Sequence, residues 1–103
     1  MTSNEDHKTQ RLCRRVAEVL TLALSDCGDD ALLDLSIVDV EPAPSPGRLL
    51  VTVESSRPEP DPVPILAALA RVHGRLRSEV ARAVRRKRAP ELLFRLAPPD
   101  SAK

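Results

Sequence analysis

The chain has 103 residues, 42% hydrophobic and 30% charged, which is the size and composition of one domain with its own core. Its apolar runs are far shorter than the roughly 20 residues of a membrane-spanning helix, and its polar start lacks the apolar core of a signal peptide, so we expect a cytoplasmic protein. The net charge of +1 conceals a polarised chain: residues 71–103 hold ten Lys or Arg against three acids, and residues 1–41 hold four against nine, an asymmetry that suggests a polyanionic partner.

The first predicted element is a helix from about Thr9 to Asp26. Its apolar residues recur at steps of three and four and form one stripe, with Arg11, Arg14 and Arg15 outside it. The stripe consists of Leu12, Val16, Val19, Leu20, Ala23 and Leu24. Gly28 is well placed to end the helix in the left-handed conformation.

Two strand-like runs follow, Leu35 to Val40 and Arg48 to Ser55. Both are rich in β-branched residues, and the second alternates clearly between two faces. Its inward residues are Leu49, Val51 and Val53. Residues 42–47 carry three prolines, which cannot join an interior ladder, so this segment is predicted to be the loop of a long hairpin.

A proline-rich connector leads to a second helix, for which Asp61 and Pro62 are a typical cap and first-turn residue. That helix is predicted to end near His73. We expect Val63, Leu66, Ala67 and Ala70 on its buried face, broadened by Ile65, Leu69 and Val72.

Gly74 interrupts the helical pattern. Glycine inside a helix costs roughly 1 kcal/mol relative to alanine, so we expect a kink or a break at Gly74 and not smooth continuation. A further helical stretch runs from Arg75 to Lys87, with inward residues Leu76, Val80, Ala83 and Val84. Periodicity leaves open whether the two stretches are a kinked pair or two separate helices.

Pro90 ends this stretch, and Glu91 to Leu96 is predicted to be a short strand whose inward residues are Leu92, Phe94 and Leu96. The order α-β-β-α-α-β predicts an α+β fold, a three-stranded sheet with helices packed on one face. We divide the chain into a flexible N-terminus (1–8), one domain (9–96) and a disordered tail (97–103).

A basic patch is the strongest functional feature. Seven cations, six of them arginine, lie between Arg75 and Arg88, and arginine binds phosphate in a bidentate manner. A solvated helix face rich in arginine, a good helix former, is the alternative interpretation. Cations that favour the helix dipole would explain two or three of these charges but not seven. Since Phe94 is the only aromatic residue and is assigned to the core, recognition is expected to rest on RNA phosphates and shape.

Enzyme and metal sites are not expected. The three glycines lie far apart and form no phosphate-binding loop, and the two cysteines and two histidines lack the spacing of zinc ligands. We interpret His73 as a partly exposed structural histidine, Cys13 as a packing residue and Cys27 as an unactivated thiol. No cofactor, membrane contact or small-molecule substrate is predicted, and we expect a monomer.

The string Gly74-Arg75-Leu76-Arg77, followed by Arg88-Ala89-Pro90-Glu91-Leu92-Leu93-Phe94, resembles the C-terminal signature of the ribosome-binding factor A family. The run from Arg11 to Val16 is similar to the family's first helix. The resemblance implies a KH-like domain in which a helix-kink-helix at Gly74 replaces the usual glycine loop.

The resemblance also implies a non-enzymatic assembly factor that binds the 30S ribosomal subunit during late maturation of 16S rRNA, with a link to cold adaptation. The predicted RNA-binding residues are Arg11, Arg14, Arg15, Arg75, Arg77, Arg82, Arg85, Arg86, Lys87 and Arg88. An alternative hypothesis is a protein-interaction module that uses its acidic and basic ends to pair with a protein or a second copy, without RNA binding.

Overall fold

The computed structural model describes residues 3–43, 47–84 and 90–97, with side chains from Lys8 onward. Two long helices pack on one face of a three-stranded sheet, which confirms the predicted α+β class. The elements are, in chain order, α1 (Ser3–Asp26), a short 3-10 turn (Asp30–Leu32), β1 (Leu35–Pro42), β2 (Arg48–Ser55), α2 (Pro62–Val84) and β3 (Glu91–Leu96). No helix within these ranges is both long enough and apolar enough to cross a membrane.

The sheet has the order β1-β2-β3, with β2 antiparallel to β1 and parallel to β3. The parallel pair requires a crossover, and α2 supplies it. As predicted, Leu49, Val51 and Val53 point inward and are buried. A bulge at Val38 shifts the register between Ile37 and Asp39, and it exposes Val38 to solvent.

Helix α1 lays its predicted stripe on the sheet. Val16, Leu20, Ala23 and Leu24 are buried, and Leu12 and Val19 pack at the edge of the core. The helix begins at Ser3, earlier than predicted. Gly28 follows its end with φ of +68°, in the left-handed conformation predicted for it.

Helix α2 begins as predicted and is unbroken at Gly74, where a kink or a break was predicted. Asp61 caps it by accepting a hydrogen bond from the backbone N–H of Val63 across 3.1 Å. The helix then runs from Pro62 to Val84 without interruption, so the two predicted helical stretches form one element. Gly74 lies inside it, outside the left-handed region. Leu69 before the glycine and Leu76 after it are both buried. Their burial stabilises a continuous helix by more than the free energy that one glycine costs inside it.

The buried face of α2 also differs from the prediction. Val63 is 73% exposed and Leu66 43% exposed, and Ala67 and Ala70 also face solvent. Ile65, Leu69, Leu76 and Val80 are buried, as predicted, and Ala68 is buried with them. Both sets follow helical spacing in the first half of α2. Only the set that begins at Ile65 lies on the same side of the helix as Leu76 and Val80, so only that set can pack on the sheet along the whole helix.

The final strand carries the pairing one residue past its predicted end. Leu92 is buried, and Phe94 and Leu96 pack against the core as predicted. Ala97 is buried, and its N–H donates to the carbonyl of Val53 across 2.7 Å. The rest of the predicted tail, residues 98–103, and the middle of the proline-rich loop, residues 44–46, lie outside the described residues.

Candidate nucleic-acid interface

The two helices run antiparallel, and a groove follows their line of contact on the side away from the sheet. Residues early in α1, such as Lys8 and Leu12, lie beside Ala83 and Val84 at the end of α2. Farther along α1, Asp26 shares the groove with Arg75, nearer the middle of α2. The groove therefore has two distinct segments.

We call the first segment the basic end. Its cations are Lys8, Arg11 and Arg15, and the volume between them and the last turn of α2 is about 380 Å³. None of the described residues that line it is acidic. Three cations at helical spacing surround an open depression, and of these only Arg15 is paired with a carboxylate, so this is the kind of surface to which phosphate groups bind.

We call the second segment the central groove. It is wider, about 840 Å³, and it carries Arg15, Arg75 and Arg82 together with the carboxylates of Glu18, Asp26 and Glu79. Its apolar part includes Leu22, which is 70% exposed. The equal numbers of the two charges make this segment much less favourable for a polyanion than the basic end.

The structure brings together four of the predicted cations, Arg11, Arg15, Arg75 and Arg82, along the groove. Arg14 lies on the opposite flank of α1, beside Ala17 and the β1 residues Asp39 and Glu41. Arg77 follows His73 by one helical turn, and His73 faces β3, so Arg77 lies on the far side of α2. The predicted cations Arg85, Arg86, Lys87 and Arg88 lie outside the described residues.

Lys8 is a groove cation that was missing from the predicted set. Because α1 begins at Ser3, Lys8 is helical and shares a face with Arg11 and Arg15, at spacings of three and seven residues. The same spacing is visible in the sequence, and it would have identified Lys8 had the predicted helix begun before Thr9.

Ion pairs neutralise several arginines away from the basic end. Arg71 donates to Asp29 across 2.8 Å, and this bond is the main cause that lowers the pKa of Asp29. Arg57 pairs with Asp34 at 2.7 Å, and Arg48 pairs with Glu91 at 3.1 Å. Within the groove, Arg15 pairs with Glu18 at 3.4 Å on an exposed surface, a contact that contributes little energy. Arg11, Arg75 and Arg82 have no ion pair with any residue that the structure describes.

The remaining candidate side chains have structural roles, as predicted. Cys13 is buried, and burial, followed by the charges of Asp39 and Glu41, raises the pKa of its thiol, which disfavours the reactive thiolate. Cys27 donates from Sγ to the carbonyl of Ala23 across 3.2 Å. His73 is half-buried and donates from Nε2 to the carbonyl of Leu92 across 3.1 Å.

Models of known protein families and curated protein sequences give no match to this chain. Solved structures do give matches. The crystal structure of ribosome-binding factor A from Thermus thermophilus superposes with a TM-score of 0.74 at 28% identity, over 85% of this chain and 94% of that chain. A homology model of the Thermus thermophilus ribosome binding factor A, fitted into a cryo-EM map of its complex with the 30S subunit, gives a TM-score of 0.64 at 32% identity, over 87% of this chain and 91% of that one. Similarity in sequence and fold over nearly the whole of both proteins shows that this chain belongs to the ribosome-binding factor A family.

Proposed function

We propose that this protein is a ribosome assembly factor that binds the 30S subunit in the cytoplasm and assists the maturation of 16S rRNA. It acts by binding and not as an enzyme. Its RNA contacts are made by the cations of the helical groove and by the basic run 85–88 that follows α2 directly in the sequence. The groove cations are Lys8, Arg11, Arg15, Arg75 and Arg82.

The basic end of the groove carries this proposal. Lys8, Arg11 and Arg15 line it, and none of the described lining residues is acidic. Val84 closes the same segment, and the next four residues in the chain are Arg85, Arg86, Lys87 and Arg88. The described part of this segment is therefore positively charged, and the sequence after it continues with four more cations. The Thermus thermophilus relative that was fitted into a 30S complex supports the small subunit as the partner.

The chemistry of the surface defines how it would recognise RNA. Arginine and lysine contact phosphates, and these contacts position a protein on RNA without reading its bases. Phe94 packs against the core and against the ring of His73, at a centroid separation of 6.1 Å, so this aromatic residue is not placed for base stacking. Specificity would then come from the shape of the folded ribosomal RNA. The family resemblance adds the expectation of a growth defect in the cold when the protein is missing.

The test is cosedimentation of the purified protein with separated 30S, 50S and 70S particles at two salt concentrations. We expect retention on 30S particles alone and weakening between about 50 and 200 mM salt, because cations that contact phosphates release counterions. A double variant, Arg11→Glu with Arg82→Glu, should lose retention, and so should the triple reversal of Arg85, Arg86 and Arg88 to Glu.

A matched control is Arg14→Glu with Arg77→Glu, which makes the same change in net charge on exposed helix positions outside the groove. It should retain most of the 30S binding. Equal loss in both double variants would show that net charge and not the groove decides binding. Retention of the triple reversal variant, or absence of wild-type binding at either salt, would overturn the proposal and favour the alternative protein-interaction module.

A further inference from the structure

Two carboxylates lie just inside the central groove, next to its border with the basic end. Arg15 and Ala83 line both segments, so they mark that border on α1 and on α2. Glu18 follows Arg15 by three residues, and Glu79 precedes Ala83 by four. Because the helices run antiparallel, each glutamate lies about one helical turn, roughly 5 Å, farther into the central groove. The groove thus carries one carboxylate on each wall at a similar level.

Helix stability gives little reason for acids at these two positions. Arg15 pairs with Glu18 at 3.4 Å, but both side chains are more than half exposed, so the contact contributes little energy. The order of the two residues, arginine before glutamate, is also the less favourable one for a pair on a helix. Glu79 forms no ion pair with any residue that the structure describes. The two carboxylates therefore act chiefly through the electric field that they create in the groove.

This field opposes an RNA backbone that follows the groove. The groove is about 27 Å long from the level of Lys8 to that of Asp26, and the basic end takes up only about the first 10 Å. Both glutamates lie within the screening length of roughly 8 Å from the border, so they repel a phosphate there at physiological salt. Folded RNA can place phosphates on cations to either side of the two carboxylates without placing one between them. A flexible strand that continues along the groove cannot avoid them.

We propose that Glu18 and Glu79 exclude flexible RNA strands from the groove and so determine the preference of this protein for the folded RNA of the 30S subunit. The inference rests on the proposed function, since it concerns the selectivity of the same surface. Specificity is a difference between two affinities, and groups that repel the wrong ligand increase it without improving the contacts of the right one. The cations supply affinity for phosphates, and the two glutamates limit which RNA can use it.

Contacts with phosphates alone could not make this distinction, because every RNA carries phosphates. The chain has one aromatic residue, Phe94, and it packs against the core, so it is not placed to select bases by stacking. Without the two glutamates, the central groove would keep three arginines, Arg15, Arg75 and Arg82, against the single carboxylate of Asp26. Such a groove would be cationic along most of its length and would bind polyanions of any shape.

The experiment compares the wild type with the double variant Glu18→Gln/Glu79→Gln on three probes: separated 30S subunits, separated 50S subunits and a fluorescently labelled oligo(U). Glutamine has nearly the same shape and helix propensity as glutamate, so circular dichroism should show an intact fold. The double variant should bind oligo(U) about three- to tenfold more tightly than the wild type at about 50 mM salt, because two repulsive contacts are removed. Its affinity for 50S subunits should also rise, whereas its affinity for 30S subunits should change little. The gains should shrink at about 200 mM salt, where the charges are more strongly screened.

Two controls separate position from net charge. Glu54→Gln/Glu59→Gln makes the same change in net charge at residues that line neither segment, and it should bind all three probes like the wild type. Asp26→Asn removes a carboxylate from the far end of the groove, about 16 Å from Arg15 along α1. With both glutamates still in place, this variant should gain much less affinity for oligo(U) than the double variant.

Equal gains in the groove variant and in the control at Glu54 and Glu59 would overturn the inference, because net charge alone would then explain them. A groove variant with no gain on oligo(U) or 50S subunits would overturn it as well. Either result, with a wild type that binds 30S subunits alone, leaves the proposed function intact. A gain on oligo(U) in a protein that never binds 30S subunits would support the exclusion of flexible strands and refute the proposed function.

Discussion

His73 donates its Nε2–H to the backbone carbonyl of Leu92 across 3.1 Å and so joins the middle of α2 to the edge strand β3. The imidazole ring also meets Phe94 edge to face, with ring planes at 83°. Because the acceptor is a carbonyl oxygen, the proton must lie on Nε2. Strand β3 pairs with β2 in parallel, and α2 is the crossover that connects them. The hydrogen bond from His73 therefore holds β3 against the helix that precedes it.

Replacing His73 with alanine should destabilise the protein. The variant loses one partly buried hydrogen bond and one aromatic contact, together worth about 1–2 kcal/mol. Urea denaturation should show a lower midpoint with an unchanged slope. Ser78→Ala, at an exposed position of the same helix, is the control, and an equally small effect in both variants would mean that the link contributes nothing.

The buried face of α2 can be tested with two leucines. Leu69 is 2% exposed, so Leu69→Ala should cost about 2–4 kcal/mol through lost burial and a cavity. Leu66 is largely outside the core, and Leu66→Ala should stay within about 1 kcal/mol of the wild type. Thermal or urea unfolding of the two variants compares them directly. The reverse ranking would place Leu66, and not Leu69, at the centre of the buried face.

Gly74→Ala should stabilise the protein. A Cβ at Gly74 would meet nothing within 4 Å, and the residue is helical without a positive φ. Alanine should then gain about 0.5–1 kcal/mol through helix propensity and a less flexible unfolded chain. A higher midpoint of thermal unfolding is the expected result. A lower midpoint would show that α2 needs glycine for a bend at this position.

Asp29 should make stability depend on pH in acid. Its hydrogen bonds from Arg71 and from the N–H of Ala31 lower its pKa below the ordinary value for aspartate. A folded-state pKa below the unfolded one gives stability that is complete above about pH 4, and that stability is lost as pH falls through the folded-state pKa. Asp29→Asn, which keeps an acceptor for the cap but removes the charge, should lose this contribution.

Thermal midpoints measured from pH 7 to pH 2.5 test this expectation. The wild type should exceed Asp29→Asn at neutral pH, and the two curves should converge as the carboxylate is protonated. Asp30→Asn, one residue along and without a bond to Arg71, controls for the change in net charge. A constant gap between wild type and Asp29→Asn at every pH would show that the effect is packing and not ionisation.

The sequence by itself determined the features that depend on neighbours a few residues away. Alternation along β2 and β3 identified the strands and their inward faces, since side chains on a strand alternate regardless of what covers them. The stripe of α1, the cap at Asp61 and the left-handed Gly28 follow equally from local stereochemistry. The signature around Gly74 and Phe94 identified the family.

Only the tertiary structure decided which residues meet across the fold. Two apolar stripes compete in the first half of α2, and the sheet selects Ile65 and Leu69 over Val63 and Leu66, because only that phase remains buried through Val80. The same packing keeps α2 continuous through Gly74. The sequence identified candidate cations on both helices, but packing of α1 against α2 divides them among surfaces: Arg11 lies in the groove, and Arg14, three residues later, faces β1. Which side of a helix faces its partner depends on long-range contacts, and local spacing does not contain that information.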